Sequence, residues 1–231
     1  VVRNLADVAF EDLVLCFLKS FKNYYVEMPT EVNYYRDRFA AAKVRYDLSY
    51  GMFQGKQLIG FIVHGIDHRR NQYIAYNTGT GVLPEFRGRR IVQDIYEFAI
   101  EDLRKHGINL CSLEVIKENV IALRCYKAIG FNICRSYKCY SGTIAQNGHA
   151  SFELKELSFD ELSWNDLPNQ EHYSWDNHKN SLKLGACRYY LILSESNEIG
   201  YFVMNPENGY LAQFDVLNES SHEGWKLLFS A

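Results

Sequence analysis

The sequence lacks an excess of basic residues, since its 25 Lys and Arg are outweighed by 28 Asp and Glu, for a net charge of −3. Affinity for nucleic acid depends on neutralising phosphates with a basic face, so this balance argues against a nucleic-acid-binding protein. The sequence also lacks an uninterrupted apolar span of membrane length and a secretory signal pattern. We therefore expect a cytoplasmic protein without nucleic-acid or membrane partners.

Recognisable metal and redox motifs are absent as well. The six cysteines form no CxxC pair and are predicted to be reduced, mostly buried thiols. His64 and His68 have HxxxH spacing, but Gly65 and the expected end of a strand argue against the helix that would bring both side chains onto one face. No metal site is predicted.

What the chain does have is the composition of an ordinary globular protein, with 47% hydrophobic and 23% charged residues over 231 positions. That length suits one large domain or two modest ones. The apolar periodicity predicts a regular series of elements in the first part of the chain. In order, these are a strand at 1–5, a helix at 10–21, a helix capped by Thr30 and reaching Lys43, a hairpin of 46–53 and 57–64, a strand at 73–82, a helix from Ile91, a strand, a helix, and a last strand ending near Tyr140.

A basic loop precedes the helix that begins near Ile91. It reads Arg87-Gly88-Arg89-Arg90, and no Ser, Thr, Asp or Asn stands where a helix is usually capped. The amides from Gly88 to Gln93 are therefore free to bind an external anion, which the helix dipole also favours, so the loop is a candidate pyrophosphate site. The alternative is a basic loop that opens a surface helix and binds nothing.

Three blocks of the sequence together resemble the GNAT superfamily of N-acetyltransferases. They are Val82-Leu83-Pro84, the stretch 87–92, which aligns with the family's Arg/Gln-x-x-Gly-x-Gly/Ala loop, and the stretch 119–131. The resemblance covers roughly residues 1–142 and places the family's fifth strand at Leu113-Glu114-Val115. It implies an α/β (α+β) fold with a mixed twisted sheet flanked by helices. Gly79 and Gly81 would then lie where the acyl-pantetheine approaches the backbone of a splayed strand.

The resemblance also implies acetyl-CoA as co-substrate, without a metal. Asn119 would contact the pantetheine arm, and it would also be an ordinary helix cap. Tyr126 would protonate the leaving thiolate, with a packing role against Ala122 and Ile129 as the alternative. The cofactor-binding residues implied by the resemblance are Val82, Leu83, Arg87, Gly88, Arg89, Arg90, Ile91, Val92, Gln93, Asn119 and Ala122.

The sequence departs from the family pattern at both small-residue positions of the loop, which are Arg90 and Val92. Phosphates can approach the backbone there only if these side chains turn outward, unless Arg90 itself contacts a phosphate. This departure leaves open a second reading. In that reading the chain is a non-catalytic coenzyme A-binding or protein-interaction module of the same fold.

The predicted reaction is acetyl transfer to a primary amine by direct attack in a ternary complex, because no cysteine stands in a Cys/His arrangement for covalent acyl transfer. Glu114 is a candidate general base, and its alternative is a strand residue facing solvent. The acceptor would be a small-molecule or peptide amine, and the protein a monomer or homodimer.

The second part of the chain, 149–231, predicts a smaller α+β region after a polar break at 141–148. Ile199–Val203 echoes Ile59–Val63, and 216–219 echoes 82–85, which indicates a diverged partial repeat of the first part. A chance likeness between two hairpins is the alternative. No arginine occurs in 217–225, so we expect one cofactor site per chain.

Overall fold

The computed structural model describes residues 1–69, 71–143, 152–217, 224–225 and 228. The chain divides into two compact units, Val1–Ser136 and Tyr137–Ala231. The break at 141–148 was predicted a few residues later than this division. Each unit is built around its own β-sheet.

The first unit contains a five-stranded sheet in which the strands stand side by side in chain order. Neighbours are antiparallel except the last pair, which is parallel because a helix crosses over between its two strands. The strands are β1 (Val2–Asn4), β2 (Tyr50–Gln54), β3 (Gln57–Arg69), β4 (Gln72–Val82) and β5 (Ile108–Leu113).

Four helices flank this sheet: α1 (Phe10–Ser20), α2 (Val32–Ala41), α3 (Ile91–Lys105) and α4 (Val120–Ile129). In α3 the buried residues recur at helical spacing, and the first of them, Ile91, packs near Gly60 of β3. Helix α4 begins at the cap Asn119 and ends at Gly130, whose φ of 112° requires glycine. The predicted mixed sheet flanked by helices is therefore confirmed.

Three boundary predictions were wrong. Helix α2 is capped by Glu31 rather than Thr30, and no side-chain hydrogen bond forms there. The fifth strand ends at Leu113, so Glu114 and Val115 follow it instead of belonging to it. The strand predicted to end near Tyr140 is also absent, because residues 132–140 are exposed and no described strand pairs with them.

The core of the first unit lies on both faces of the sheet and is rich in aromatic side chains. Phe17 of α1 stacks on Phe61 of β3 at 5.6 Å between ring centroids, and Tyr35 of α2 packs at 5.0 Å from Phe17. All three side chains are at most 2% exposed. This packing fixes α1 and α2 on one face of the sheet, while α3 covers the other face.

The second unit contains an antiparallel four-stranded sheet, also in chain order. Its strands are β6 (Glu153–Leu157), β7 (Arg188–Ser194), β8 (Asn197–Asn205) and β9 (Tyr210–Val216), with a four-residue helix α5 (Lys179–Leu182) between the first two. The predicted second hairpin corresponds to β7 and β8. A short 3₁₀ turn at Phe159–Glu161 lies between β6 and α5.

The two sheets have matching registers. Gly60 of β3 pairs with Met52 and Val82, and Gly200 of β8 pairs in the same way with Ile192 and Val216. The β2–β3 and β7–β8 pairs each carry an irregularity just after Met52 or Ile192. The β3–β4 and β8–β9 pairs also carry one, just after Val63 or Val203. Residues 218–223, on which the prediction of a missing second cofactor site rests, lie outside the described residues.

Candidate functional site

The candidate site begins where β4 separates from β5. The two strands pair from Tyr73 to Asn77 of β4, and β5 then ends at Leu113, so Gly79–Val82 pair only with β3. The β3–β4 ladder is interrupted here, because Val63 pairs with Gly79 while His64 pairs with Asn77, which leaves Thr78 as a bulge. The separated end of β4 leaves an opening in the sheet.

The backbone of Val82 faces this opening. Leu83 donates its N–H to the Ile59 carbonyl at 3.0 Å, and this bond flanks the Gly60–Val82 pair. In an antiparallel ladder the residues of such a pair direct their own N–H and C=O away from each other. Val82 therefore presents its N–H on the side that β5 has left. Leu83, which the resemblance implies as a cofactor-binding residue, has its N–H bonded to Ile59, and its carbonyl accepts from the Phe86 N–H at 2.9 Å.

The first turn of α3 presents backbone donors next to this strand end. The earliest helical bond runs from the Asp94 N–H to the Arg90 carbonyl, and no side chain caps the helix. In the described part of the chain, the amides of Ile91, Val92 and Gln93 have no acceptor. An anion placed here would accept from these amides, and the helix dipole would add positive potential.

The loop before α3 contains two residues in the left-handed region. Gly88 has φ 75°, and an added Cβ would meet nothing within 4 Å. Arg90 has φ 59°, a conformation that costs a non-glycine residue about 1 kcal/mol or more. The conformation explains why glycine is the family residue at this position. It also shows that Arg90 is accommodated with strain.

The three arginines of the loop all contact protein groups. Arg87 donates to the Ser20 carbonyl at 2.8 Å and to the Val82 carbonyl at 3.3 Å, which ties the end of α1 to the end of β4. Arg89 donates to the Glu85 carbonyl at 3.2 Å. Arg90 forms an exposed ion pair with Glu97 at 3.8 Å. Such exposed contacts are weak, so Arg89 and Arg90 can exchange them for a phosphate at little cost.

Arg90 turns outward as expected, but Val92 does not. The Val92 side chain is partly buried and packs against the hydrophobic core. Its inward direction leaves the backbone of the first turn uncovered, because the side chain occupies the sheet side of the helix. A bulkier residue at this position is therefore compatible with access to the amides.

Tyr126 of α4 reaches the separated part of β4. Its hydroxyl lies near the side chains of Thr80 and Asn77. Its ring packs edge-on against Phe131 and Tyr96, at 5.7 and 6.5 Å between centroids. Burial raises the pKa of Tyr126 to about 12, against the opposing influence of the nearby Thr80 and Asn77 side chains. The phenol is consequently protonated at neutral pH.

Asn119 caps the start of α4, which was one of the two roles expected of it. Its Oδ1 accepts from the Ala122 N–H at 3.1 Å, so it caps the helix. Its Nδ2 donates to the Tyr24 hydroxyl at 3.3 Å, which brings the segment after α1 to the start of α4. The Tyr25 hydroxyl reinforces that contact by donating to the Glu118 carbonyl at 3.1 Å. Ala122 thus contributes its amide to the cap.

Glu114 lies immediately after β5 and is exposed. It was predicted within a strand, and its position after the strand end makes its backbone less constrained than expected.

The glycines of β4 are required for a reason other than the predicted approach of a ligand. A Cβ on Gly79 would lie 2.9 Å from Cε2 of Phe17, and a Cβ on Gly81 would lie 2.7 Å from Cβ of Ser20. Both positions therefore face α1, which packs directly on the strand. The glycines make room for a helix rather than for a ligand.

Sequence reasoning missed Asn77, Thr80 and Tyr96. Asn77 is 5% exposed and Tyr96 is fully buried, and the Asn77 side chain links Thr80 to Tyr96. The available signal was a cluster of polar residues, Asn77, Thr78 and Thr80, in a mostly buried strand. Their importance depends on a bulge that only the pairing register reveals.

Two further findings concern metal ligands and membrane-spanning helices. Within the described ranges, no three His, Cys, Asp or Glu side chains converge as metal ligands would. His64 and His68 both lie on β3, where four residues span about 13 Å, and His64 is buried with its Nδ1 on the Leu48 carbonyl at 2.8 Å. No helix in the described part of the chain combines the length and apolar character that crossing a membrane requires.

Comparison with known proteins gave one family match. A sequence model described as the Acetyltransferase (GNAT) family matches residues 9–131. No curated protein matches the chain.

Solved structures share parts of the fold at low sequence identity. A transcriptional regulator from Bacillus halodurans C-125 is 19% identical, with a TM-score of 0.49, over 62% of this chain and 99% of its own. The NatC complex bound to Gag peptide and CoA contains a chain that is 23% identical, with a TM-score of 0.47, over 58% of this chain and 86% of its own. An aminoglycoside acetyltransferase from an uncultured soil metagenomic sample, in complex with sisomicin, is 11% identical, with a TM-score of 0.49, over 63% of this chain and 96% of its own.

Proposed function

The chain belongs to the GNAT acetyltransferase family, since the family match spans more than half of its length, and we propose that it transfers the acetyl group of acetyl-CoA to a primary amine. The acceptor is a small-molecule or peptide amine that attacks directly in a ternary complex. The observation that carries this proposal is the opening between β4 and β5, where the Tyr126 hydroxyl lies beside Thr80 and the unbonded N–H of Val82 faces out.

The residues present fit acetyl-CoA as a co-substrate. The unbonded amides of Ile91, Val92 and Gln93 and the open, left-handed Gly88 would hold the pyrophosphate. Arg89 and Arg90 would add charge-assisted contacts by leaving their exposed partners. The Asn119 amide would bind the pantetheine arm by exchanging its long contact with Tyr24 for the ligand.

Each chemical requirement of the reaction corresponds to a group of this chain. The thioester supplies an activated acetyl carbon, and the amine forms the new C–N bond as the C–S bond breaks. The Val82 N–H would polarise the carbonyl oxygen. Tyr126 would give its proton to the departing sulfur, which suits a phenol whose raised pKa keeps it protonated. The acceptor nitrogen would lose its surplus proton once the C–N bond has formed, and this proton would return to Tyr126 through solvent. Glu114, directly or through water, would take the proton that the ammonium form of the acceptor must lose.

A second candidate function is coenzyme A binding or protein interaction without catalysis. The observation in its favour is the strained Arg90 at φ 59°, together with arginine side chains that already have protein partners. A protein of this kind would bind the cofactor without releasing thiol when amines are added.

We further propose that the catalytic domain spans 1–142 and that 149–231 is a diverged partial repeat of it. The matched pairing of Gly60 and Gly200 supports this, as does the bond from the Leu217 N–H to the Ile199 carbonyl at 2.8 Å, the counterpart of Leu83 and Ile59. The sequence echo at 218–219 falls on residues outside the described ranges.

Free thiol release from acetyl-CoA, measured with a panel of amines, tests the proposed function. The panel should include polyamines, aminoglycosides and peptides with free N-termini. We expect release with at least one acceptor and none without acceptor. Binding of acetyl-CoA without amine-dependent release across the panel would favour the non-catalytic alternative.

A further inference from the structure

A cleft of about 520 Å³ lies at the last turn of α1 and in the segment that connects α1 to α2. This volume is within the range of small-ligand pockets. We call it the α1 cleft, and residues between Leu18 and Thr30 line it. Its apolar walls are Leu18, Phe21, Tyr24, Val26 and Met28. The α1 cleft therefore suits a ligand with an apolar part.

The end of α1 lies directly on the separated end of β4. A Cβ on Gly79 would lie 2.9 Å from Cε2 of Phe17, and a Cβ on Gly81 would lie 2.7 Å from Cβ of Ser20. Arg87, which follows β4, donates to the Ser20 carbonyl at 2.8 Å. Since both glycines belong to the part of β4 that β5 has left, the last turn of α1 stands beside the opening.

A run of aromatic side chains leads from there to the start of α4. Phe21 stacks on Phe17 at 4.3 Å between ring centroids and packs edge-on against Tyr24 at 4.9 Å. The Tyr24 hydroxyl accepts from Asn119 Nδ2 at 3.3 Å. Two walls of the α1 cleft, Phe21 and Tyr24, therefore lie between the separated end of β4 and the start of α4.

The α1 cleft and the proposed cofactor groups belong to opposite faces of the sheet. Phe17 of α1 stacks on Phe61 on one face, whereas Tyr96 of α3 packs against Tyr126 of α4 on the other. Beyond Asn77, no described strand flanks β4 on the side that β5 has left, so the two faces communicate through the opening. An amine held in the α1 cleft can thus reach an acetyl group in the opening without displacing the cofactor.

The charges of the α1 cleft distinguish one class of amine from another. Lys19 and Lys22 contribute to its lining together with Glu27. A second ammonium group on the acceptor would be repelled by two lysines and would lose its hydration beside a single carboxylate. An alkyl or aryl group would instead gain from contact with the apolar walls.

We propose that the acceptor is a small monoamine with an apolar body, such as an alkylamine or arylalkylamine, whose apolar part occupies the α1 cleft while its nitrogen enters the opening. This inference rests on the proposed acetyl transfer and narrows its acceptor to one class. Polyamines and aminoglycosides are poor acceptors on this account, because each carries additional ammonium groups.

Amines of matched length test the acceptor class at saturating acetyl-CoA. From butylamine to hexylamine, kcat/KM should rise about fourfold for each added methylene. Hexamethylenediamine has the same chain as hexylamine and a second amino group, and its kcat/KM should be about tenfold lower. Equal values for hexylamine and hexamethylenediamine, or no gain with chain length, would overturn the proposal.

Val26 offers a variant that changes the α1 cleft without disturbing the core, since it is 52% exposed. Val26→Glu adds a carboxylate, so kcat/KM should fall about tenfold for hexylamine and rise for hexamethylenediamine, with the KM for acetyl-CoA unchanged. Leu15→Glu is the matched control, because Leu15 is 51% exposed on α1 and does not line this cleft. A Val26→Glu protein that keeps the wild-type preference would contradict the assignment of the cleft.

Calorimetric titration of the coenzyme A-saturated protein with hexylamine separates this inference from the proposed function. If thiol is released with amines but without preference for hexylamine, the acceptor class fails and acetyl transfer stands. If no amine releases thiol, but hexylamine binds and Val26→Glu abolishes the binding, the cleft stands and acetyl transfer fails. If hexylamine neither reacts nor binds, the inference fails.

Discussion

The first sheet and the second sheet of this chain have the same hydrogen-bond register, yet different residues occupy equivalent positions. Gly60 and Gly200 occupy matched central positions, and both sheets bulge one step beyond Val63 or Val203. In the first sheet β4 continues beyond a parallel neighbour and leaves an opening. The described part of the second sheet has no strand beyond β9.

The side chains at the matched positions show what the difference means. On one face, Gly79 and Gly81 of the first sheet correspond to Gln213 and Asp215 of the second. Those two residues are hydrogen-bonded within the second unit, to the Asn177 carbonyl at 2.6 Å and to Asn169 at 2.7 Å. On the other face, Asn77 and Thr80 of the first sheet correspond to Leu211 and Phe214 of the second. The two sheets therefore share a backbone register, and only the end of β4 carries the polar residues that lie near Tyr126.

The largest expected effect concerns His64, which corresponds to Met204 in the register of the second sheet. Burial lowers the pKa of His64 to about 4 from 6.5, against the opposing hydrogen bond to Leu48. Between pH 4 and pH 6.5 the unfolded chain binds a proton on His64 that the folded chain does not. The contribution of the neutral His64 to the free energy of unfolding is therefore fully present above pH 6.5 and is lost as the pH drops to 4. The loss should be about 3 kcal/mol. His64→Met should remove it.

Urea unfolding of wild type and His64→Met at pH 7 and pH 4.5 measures this difference directly. Because every other titrating group is common to both proteins, only the His64 contribution remains in the comparison. Equal losses of stability in the two proteins would show that His64 is not kept neutral by burial.

The next effect concerns Tyr126. If Tyr126 protonates the leaving thiolate, Tyr126→Phe should lower kcat on the order of 10²-fold and leave acetyl-CoA affinity nearly intact, since the phenyl ring keeps its packing. Tyr190→Phe in the second unit, where the ring stacks on Phe202 at 4.8 Å, is the matched control and should retain full activity. Full kcat in Tyr126→Phe would return Tyr126 to a packing role.

A smaller effect is expected at the glycine positions that distinguish the two sheets. In Gly81→Ala the new Cβ would lie 2.6 Å from Cζ of Phe61 and 2.7 Å from Cβ of Ser20, so α1 must shift. We expect a loss of about 2 kcal/mol in the free energy of unfolding. Gly185→Ala, where the nearest atom is 3.7 Å away, should change it by far less. Similar values for both variants would contradict the close packing of α1.

The smallest effect concerns Arg90. Replacing this left-handed residue by glycine relieves backbone strain at φ 59° and removes only an exposed ion pair, so Arg90→Gly should stabilise the protein by about 1 kcal/mol. Thermal unfolding checks the change, with Arg89→Gly as the control for loss of charge. A destabilised Arg90→Gly protein would show that the side chain has a structural role.

Much of the first unit was predictable because its elements have clear periodicity and end signals. The amphipathic helix α3, the cap Asn119 and the C-terminal Gly130 all follow from local residue preferences. The resemblance singled out Tyr126 for a role, but its position beside β4 could not be predicted, since no local pattern places a side chain of α4 against a distant strand.

The parts that could not be predicted depend on long-range pairing. Asn77 and Thr80 matter because the ladder bulges at Thr78, and a bulge leaves no reliable local signal. Gly79 and Gly81 were predicted to lie beside a ligand because the absence of a Cβ makes room for a packed helix as readily as for a ligand. Only the position of Phe17 distinguishes the two.

Calorimetric titration of the full chain with acetyl-CoA tests most directly whether cofactor chemistry belongs to the first unit alone. The unbonded amides at the start of α3 and the opening beside Tyr126 predict one molecule bound per chain. Two equivalent sites per chain would contradict the assignment of the second sheet to a scaffold without this chemistry.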